Sequence, residues 1–166
     1  MSTQTTLSTA TLPDSARCWV YQAATEIPET LVPAIEEALR AYTSHWESHG
    51  SILPAGAEIL HNRFVLIAVD PRGDSVCGRS VDASVRLMRD LSERFGVDFF
   101  DRMQLAYLKD GEVRAAHKDE FAALYAAGEI GDDTLVFDNM VQTLGDWRKN
   151  WLKPLKDSWM YRMIAD

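Results

Sequence analysis

The sequence predicts an α+β fold, a mixed sheet with helices on one face, and three observations carry the prediction. The residues from Ile59 to Val69 are mostly apolar, several of them β-branched, and the run stops at Asp70-Pro71, so it reads as a strand buried on both faces and central in its sheet. From Val81 the apolar positions Val85, Met88, Leu91 and Phe95 recur at helical spacing, with Arg86, Arg89, Asp90 and Glu93 on the other faces. Further along, Lys109-Asp110-Gly111-Glu112 separates two short strand-like stretches, as a hairpin turn does.

Composition bounds the function. At 166 residues, 46% hydrophobic and 25% charged, the chain has the make-up of an ordinary globule, and residues 15–166 read as one domain. A net charge of −8 argues against general nucleic-acid binding and against an acidic membrane surface, both of which require cations to neutralise phosphate. No segment approaches the roughly 20 apolar residues of a membrane helix. The two cysteines, Cys18 and Cys77, cannot make a disulfide framework, so the expected compartment is a reducing cytoplasm. No cofactor is expected.

Residues 1–14 are rich in Ser and Thr, contain neither Lys nor Arg, and match no signal or transit peptide; they read as a disordered tail. Arg17 to Gln22 has the aromatic and β-branched content of a strand, in which Cys18 serves as a small core hydrophobe. A helix follows the entry prolines Pro28 and Pro33, repeats Leu31, Ile35, Leu39, Tyr42 and Trp46, and ends at Gly50. His45 and His49 are four apart near its end, the spacing of half a zinc site. Trp46 stands where a zinc-protease helix needs Glu, so helix-end histidines bonded to carbonyls are the expected reading and no metal is.

A Leu53-Pro54-Ala55-Gly56 turn leads to the central strand, where His61-Asn62-Arg63 is polar enough to mark a bend or a solvent-facing edge. Arg63 aims at an anionic ligand or pairs with a local carboxylate. After the strand, the loop from Pro71 to Ser80 opens the second helix, with Ser80 as its N-cap and Asp82 in its first turn, and Gly96 ends it in a left-handed cap. Then come the hairpin of Met103–Leu108 and Val113–Ala116, a short helix carrying Phe121, Leu124 and Tyr125 up to Gly128, and a last strand from Thr134 to Asp138. The final segment sets Trp147, Trp151 and Trp159 among Arg148, Lys149, Lys153 and Lys156, the locally basic stretch of an acidic chain. This β-α-β-α-β-β order is similar to a ferredoxin-like arrangement with a C-terminal α/β extension, in which residues 112–166 are a candidate submodule.

Chemistry concentrates in the loop before the second helix. Cys77, beside Arg79 and close to a helix start, has the positive surroundings that favour a thiolate, and His45, His49, His61 or His117 would supply a base. No histidine stands at a family-specific spacing from it. The same loop also suits a small anion, held by free amides, Arg79 and Ser80, with Arg63 as a further candidate. Neither G-x-x-x-x-G-K-[ST] nor a G-x-G-x-x-G after a strand occurs, so the phosphate cradle of a P-loop ATPase is missing.

Trp46-x-x-His49-Gly50, Asn62-Arg63-Phe64, the Cys77 loop ending at Asp82, Asp101-Arg102-Met103, Thr134-Leu135-Val136-Phe137-Asp138-Asn139 and Asp157-Ser158-Trp159 form a pattern that spans the chain beyond its tail. In it the chain resembles a family of small uncharacterised bacterial proteins, often labelled "ABC transporter ATPase". That family supplies no catalytic residues to carry over. A second resemblance covers Glu112 to Trp147. There Phe121-x-x-Leu124, Gly128-Glu129-Ile130 and Asp133-Thr134-Leu135-Val136-Phe137 are similar to the second half of GYF-like modules, which implies binding of Pro-rich peptides through aromatic surfaces; the Gly-Tyr-Phe signature is absent.

With no complete catalytic constellation, the expected function is that of a non-catalytic cytoplasmic binding or adaptor protein. Its surface would be the anion-binding loop, or Trp147, Trp151 and Trp159 turned toward a protein partner, although such residues more often fold back and cover the sheet. The alternative is a small enzyme using Cys77 with a nearby histidine.

Overall fold

The run from Ile59 to Val69 is a hairpin in the structure, a computed structural model that describes residues 9–48, 51–72 and 78–164. Strand β4 (Ala55–Leu60) pairs antiparallel with β5 (Phe64–Val69). His61 and Asn62 take left-handed backbone angles, φ 54° and 51°, and Arg63 N–H donates to the Leu60 carbonyl at 3.0 Å, which closes a tight turn of the type that matches strand twist. The polarity at 61–63 therefore marks a full reversal, and the expected single strand is corrected to two.

Strand β1 (Arg17–Gln22), with the bounds the sequence indicates, pairs antiparallel with the other side of β5, so the first sheet runs β1-β5-β4 with β5 central. All six β5 residues are buried because both faces are covered. Val65, Ile67 and Val69 meet helices α1 (Val32–Thr43) and α2 (Gly78–Phe95), through Ile35, Leu39, Met88 and Leu91. Phe64, Leu66 and Ala68 face the opposite way, into clusters shared with the C-terminal half of the chain.

α1 ends earlier than its apolar repeat suggests. Thr43 Oγ1 donates to the Leu39 carbonyl at 2.9 Å and Ser44 Oγ to the Ala41 carbonyl at 3.0 Å, so the side chains compete for the last helical acceptors. Trp46 lies beyond the helix, 3% exposed in the core, stacked on Trp19 with ring centroids 6.1 Å apart. The short strands β2 (Glu47–Ser48) and β3 (Ser51–Ile52) then pair with each other. α2 begins at Gly78, which puts Ser80 inside the helix and corrects its reading as the N-cap. Gly96, at φ 68°, ends α2 as expected.

The second sheet has the order β7-β6-β8-β9 and is also antiparallel. Strands β6 (Gln104–Lys109) and β7 (Glu112–His117) are the expected hairpin, turning on Asp110 and Gly111 with φ 53° and 79°. Helix α3 (Lys118–Ala126) is capped by the His117 ring, which accepts from Asp119 N–H at 3.3 Å. Strand β8 (Leu135–Phe137) is followed by helix α4 (Leu144–Asn150), strand β9 (Leu152–Pro154), a 3-10 turn (Leu155–Asp157) and helix α5 (Tyr161–Ile164).

The α+β class stands. Within it, two larger antiparallel sheets and the small β2-β3 pair replace one mixed sheet: short hairpins join β4 to β5 and β6 to β7, and β1, β8 and β9 also pair antiparallel, through longer connections. One face of the second sheet packs on α3 and α5 through Phe121, Leu155 and Met160. The other, with Ala106 and Phe137, meets Phe64 of the first sheet and Trp151.

Residues 9–14, expected within the disordered tail, are held in place. Thr9 is 2% exposed and its hydroxyl bonds Glu58, while the Arg148 guanidinium donates to the carbonyls of Thr9 and Leu12 and pairs with Asp14. α4 comes so close that a Cβ on Gly145 would lie 2.8 Å from the Asp14 Cβ, so only glycine fits.

Candidate functional site

The structure distributes the residues singled out in sequence. Cys77 and His49 lie outside the described residues, and the side chains of Arg79 and Ser80 are likewise outside them. Arg63, half-buried beside the β4–β5 turn, has its ionisation pushed below the usual arginine range by burial, with Glu26 opposing the shift. His45 is exposed at the end of α1, its Nδ1 2.9 Å from Ser44 Oγ and 3.2 Å from the Ala41 carbonyl, the helix-end role expected of it. Among the described residues no three His, Cys, Asp or Glu side chains gather as metal ligands would.

Of the three C-terminal tryptophans, Trp151 is buried in the core and Trp147 is half-buried beside it. Trp151 is 9% exposed, with its ring centroid 4.8 Å from that of Phe137 and 5.0 Å from that of Phe64, and Trp147 lies 5.6 Å from Trp151. Three of the four neighbouring cations pair locally: Arg148 with Asp14, Lys153 with Asp138 and Lys156 with Asp133. Trp159 alone of the three remains open, 40% exposed.

Cys18 is fully buried, and burial pushes its thiol up to about 12. A buried neutral thiol is a poor nucleophile. In a Cys77→Ser variant the native protein is expected to leave a thiol reagent unreacted at pH 8 and to consume one equivalent on denaturation; rapid labelling of the native state would contradict this burial. Because the folded value is raised, the thiol's contribution to stability is complete below its ordinary value of 9.0 and is lost as pH climbs from there through about 12.

Trp159 opens onto a groove of about 420 Å³ that the sequence did not single out. One wall is the outer edge of β1; the others are residues 99–105, the arm 137–142 and Trp159 with Met160. The hydrogen bonds establish which way β1 faces. Cys18 N–H donates outward to the Gln142 carbonyl at 2.9 Å, and Ala24 N–H outward to the Asp98 carbonyl at 2.8 Å, whereas Ala23 N–H turns inward to Arg63 at 2.7 Å. Antiparallel alternation therefore points the amides of Val20 and Gln22 away from β5, into the groove. Neither amide has a partner among the described residues. The edge is paired at both ends and open for two residues between.

The arm opposite is tethered by side chains. Asn139 Nδ2 donates to Gln22 Oε1 at 2.9 Å, Gln22 Nε2 to the Gln104 carbonyl at 3.0 Å, and Trp151 Nε1 to Asn139 Oδ1 at 2.9 Å. Asp138 accepts from Met140 N–H and from Lys153 Nζ, both at 2.9 Å. This chain of bonds holds the arm off β1 in place of a backbone ladder and presents Met140, 69% exposed, at the rim.

Arg17 lies at one end of the groove, its Nη1 donating to the Gln142 carbonyl at 2.9 Å and its guanidinium 5.1 Å above the Trp19 ring. Arg102, exposed, lies toward the other end, near the start of β6. Neither has a carboxylate within 4.0 Å among the described residues. Among the described residues that line the groove the one acid is Asp101, which accepts from the Met103 amide at 3.0 Å, while Asp138 within the arm is paired with Lys153. The groove is thus a local positive site in an acidic protein, with a backbone edge, an aromatic ring and a thioether around it. Its one signal in sequence was the Asp138-Asn139-Met140 step after a strand, where an Asx turn exposes a methionine.

Comparison with protein-family models, with curated proteins and with solved structures finds no match to this chain.

Proposed function

We propose that this is a non-catalytic binding protein that captures an extended polypeptide segment of a partner along the outer edge of β1. The observation that carries the reading is the pair of outward amides, Val20 and Gln22, left open between two paired positions on the same edge. An extended segment supplies the alternating carbonyls and amides such an edge lacks, and its side chains fall into whatever lines the groove. A groove of about 420 Å³ lies within the usual range for recognition of a few residues. The proposal retains the expectation of a cytoplasmic protein, since it uses neither a disulfide nor a membrane.

The test is selection of a displayed heptapeptide library on the immobilised protein, followed by titration of 15N-labelled protein with the selected peptide. The amides of Val20 and Gln22 are expected to move most. Val20→Pro deletes an outward amide and is tolerated on an edge strand, so it is expected to keep the fold and weaken binding several-fold, up to about tenfold for one hydrogen bond. Selected peptides that leave both amides unmoved, or that bind a folded Val20→Pro equally well, would overturn the reading.

A further inference from the structure

We infer that the segment this groove accepts is acidic, an apolar residue flanked on both sides by Asp or Glu. The inference rests on the edge-capture reading above and adds the chemistry of the partner.

The apolar requirement comes from the rim. Met140, 69% exposed, and Trp159, 40% exposed, are two of the large hydrophobic side chains left most open among the described residues, and both border the same groove. A thioether and an indole accommodate an aliphatic side chain of variable shape and leave water when it docks.

The charge requirement comes from the ends. Arg17 and Arg102 line the groove without a carboxylate partner, although the chain carries 25 acidic residues against 17 lysines and arginines. By contrast, Arg148 is held by Asp14 and Lys153 by Asp138. The guanidinium of Arg17 is fixed by its bond to the Gln142 carbonyl and by the Trp19 ring, so a carboxylate meeting it orders little further chain. At physiological ionic strength the screening length is about 8 Å, so an acidic segment in the groove responds to these two arginines more than to the net charge of the whole protein.

A basic segment faces the reverse: attraction at a distance and repulsion on contact. Association rate and affinity then respond differently to salt for peptides of opposite charge.

The experiment uses three fluorescent heptapeptides with Leu at the centre and, two residues to either side, Glu, Gln or Lys, measured by anisotropy against the full chain. The Glu peptide is expected to bind about tenfold more tightly than the Gln peptide, two partly exposed charge contacts being at stake, and the Lys peptide more weakly still. Arg102→Glu, at an exposed position, leaves one positive and one negative end and is expected to abolish the difference between the Glu and Lys peptides. Trp159→Ala is expected to weaken all three.

Equal binding of the three peptides, or preference for Lys, with Val20 and Gln22 amides still moving, overturns the charge requirement and leaves edge capture standing. Failure of every peptide, library-selected ones included, to move those amides overturns edge capture itself. If the amides shift with protein concentration and no peptide, the occupant is a second copy of this chain and the acidic segment is excluded.

Discussion

Phe64→Ala is expected to lower the stability of the folded chain by about 3–5 kcal/mol, the range for removing a fully buried aromatic ring. Phe64 is 0% exposed, with ring centroids 4.9 Å from Phe137 and 5.0 Å from Trp151. It projects from the central strand of the first sheet into the cluster that the second sheet contributes to, so the cavity would open where the two sheets meet. Strands on both sides are held by their own ladders and cannot collapse into it cheaply. Urea unfolding followed by tryptophan fluorescence and by circular dichroism is expected to show one large drop in midpoint with both probes. A loss below about 1 kcal/mol would mean that the ring is not at the junction the structure assigns.

Asp138→Ala is expected to cost about 2–3 kcal/mol, somewhat less than for a fully buried pair because the Lys153 side chain keeps 23% exposure. The carboxylate serves two donors, Lys153 Nζ and the Met140 amide, and alanine leaves both unpaired. Its loss also frees the arm that forms one wall of the groove, so peptide binding is expected to fall along with stability. The double variant Asp138→Leu with Lys153→Met removes both charges and is expected to recover part of the stability. Binding is expected to stay impaired, since the Met140 amide still lacks its acceptor. Equal destabilisation by the single and double variants would show that the unpaired ammonium is not what the single change costs.

Much of the secondary structure was legible because its signals are local. Arg17–Gln22 needed only β-branched and aromatic residues, the β6–β7 hairpin only Asp110-Gly111, and the end of α2 only Gly96 after an apolar repeat. Legibility failed where distant partners decide. The run from Ile59 to Val69 is apolar on both sides of its turn because β5 is covered on both faces, so burial hid the reversal that His61 and Asn62 make. For the C-terminal tryptophans the sequence favours packing over an open surface but names no partner, and only the structure sets Trp151 against Phe64 and Phe137. Arg148 gave the impression of a basic patch, but its partner is Asp14, more than a hundred residues away in the chain.

By itself the sequence determined the α+β class, the span of β1, the two-sided burial of the strand that became β5, and the burial of Cys18, all consequences of local pattern and hydrophobicity. Only the tertiary structure decided that the strands form two antiparallel sheets, and that residues 17–22, 99–105, 137–142 and Trp159 enclose one groove. The physical reason lies in the backbone. Every residue but proline carries the same amide, and whether that of Val20 is satisfied depends on which segment lies 3 Å away.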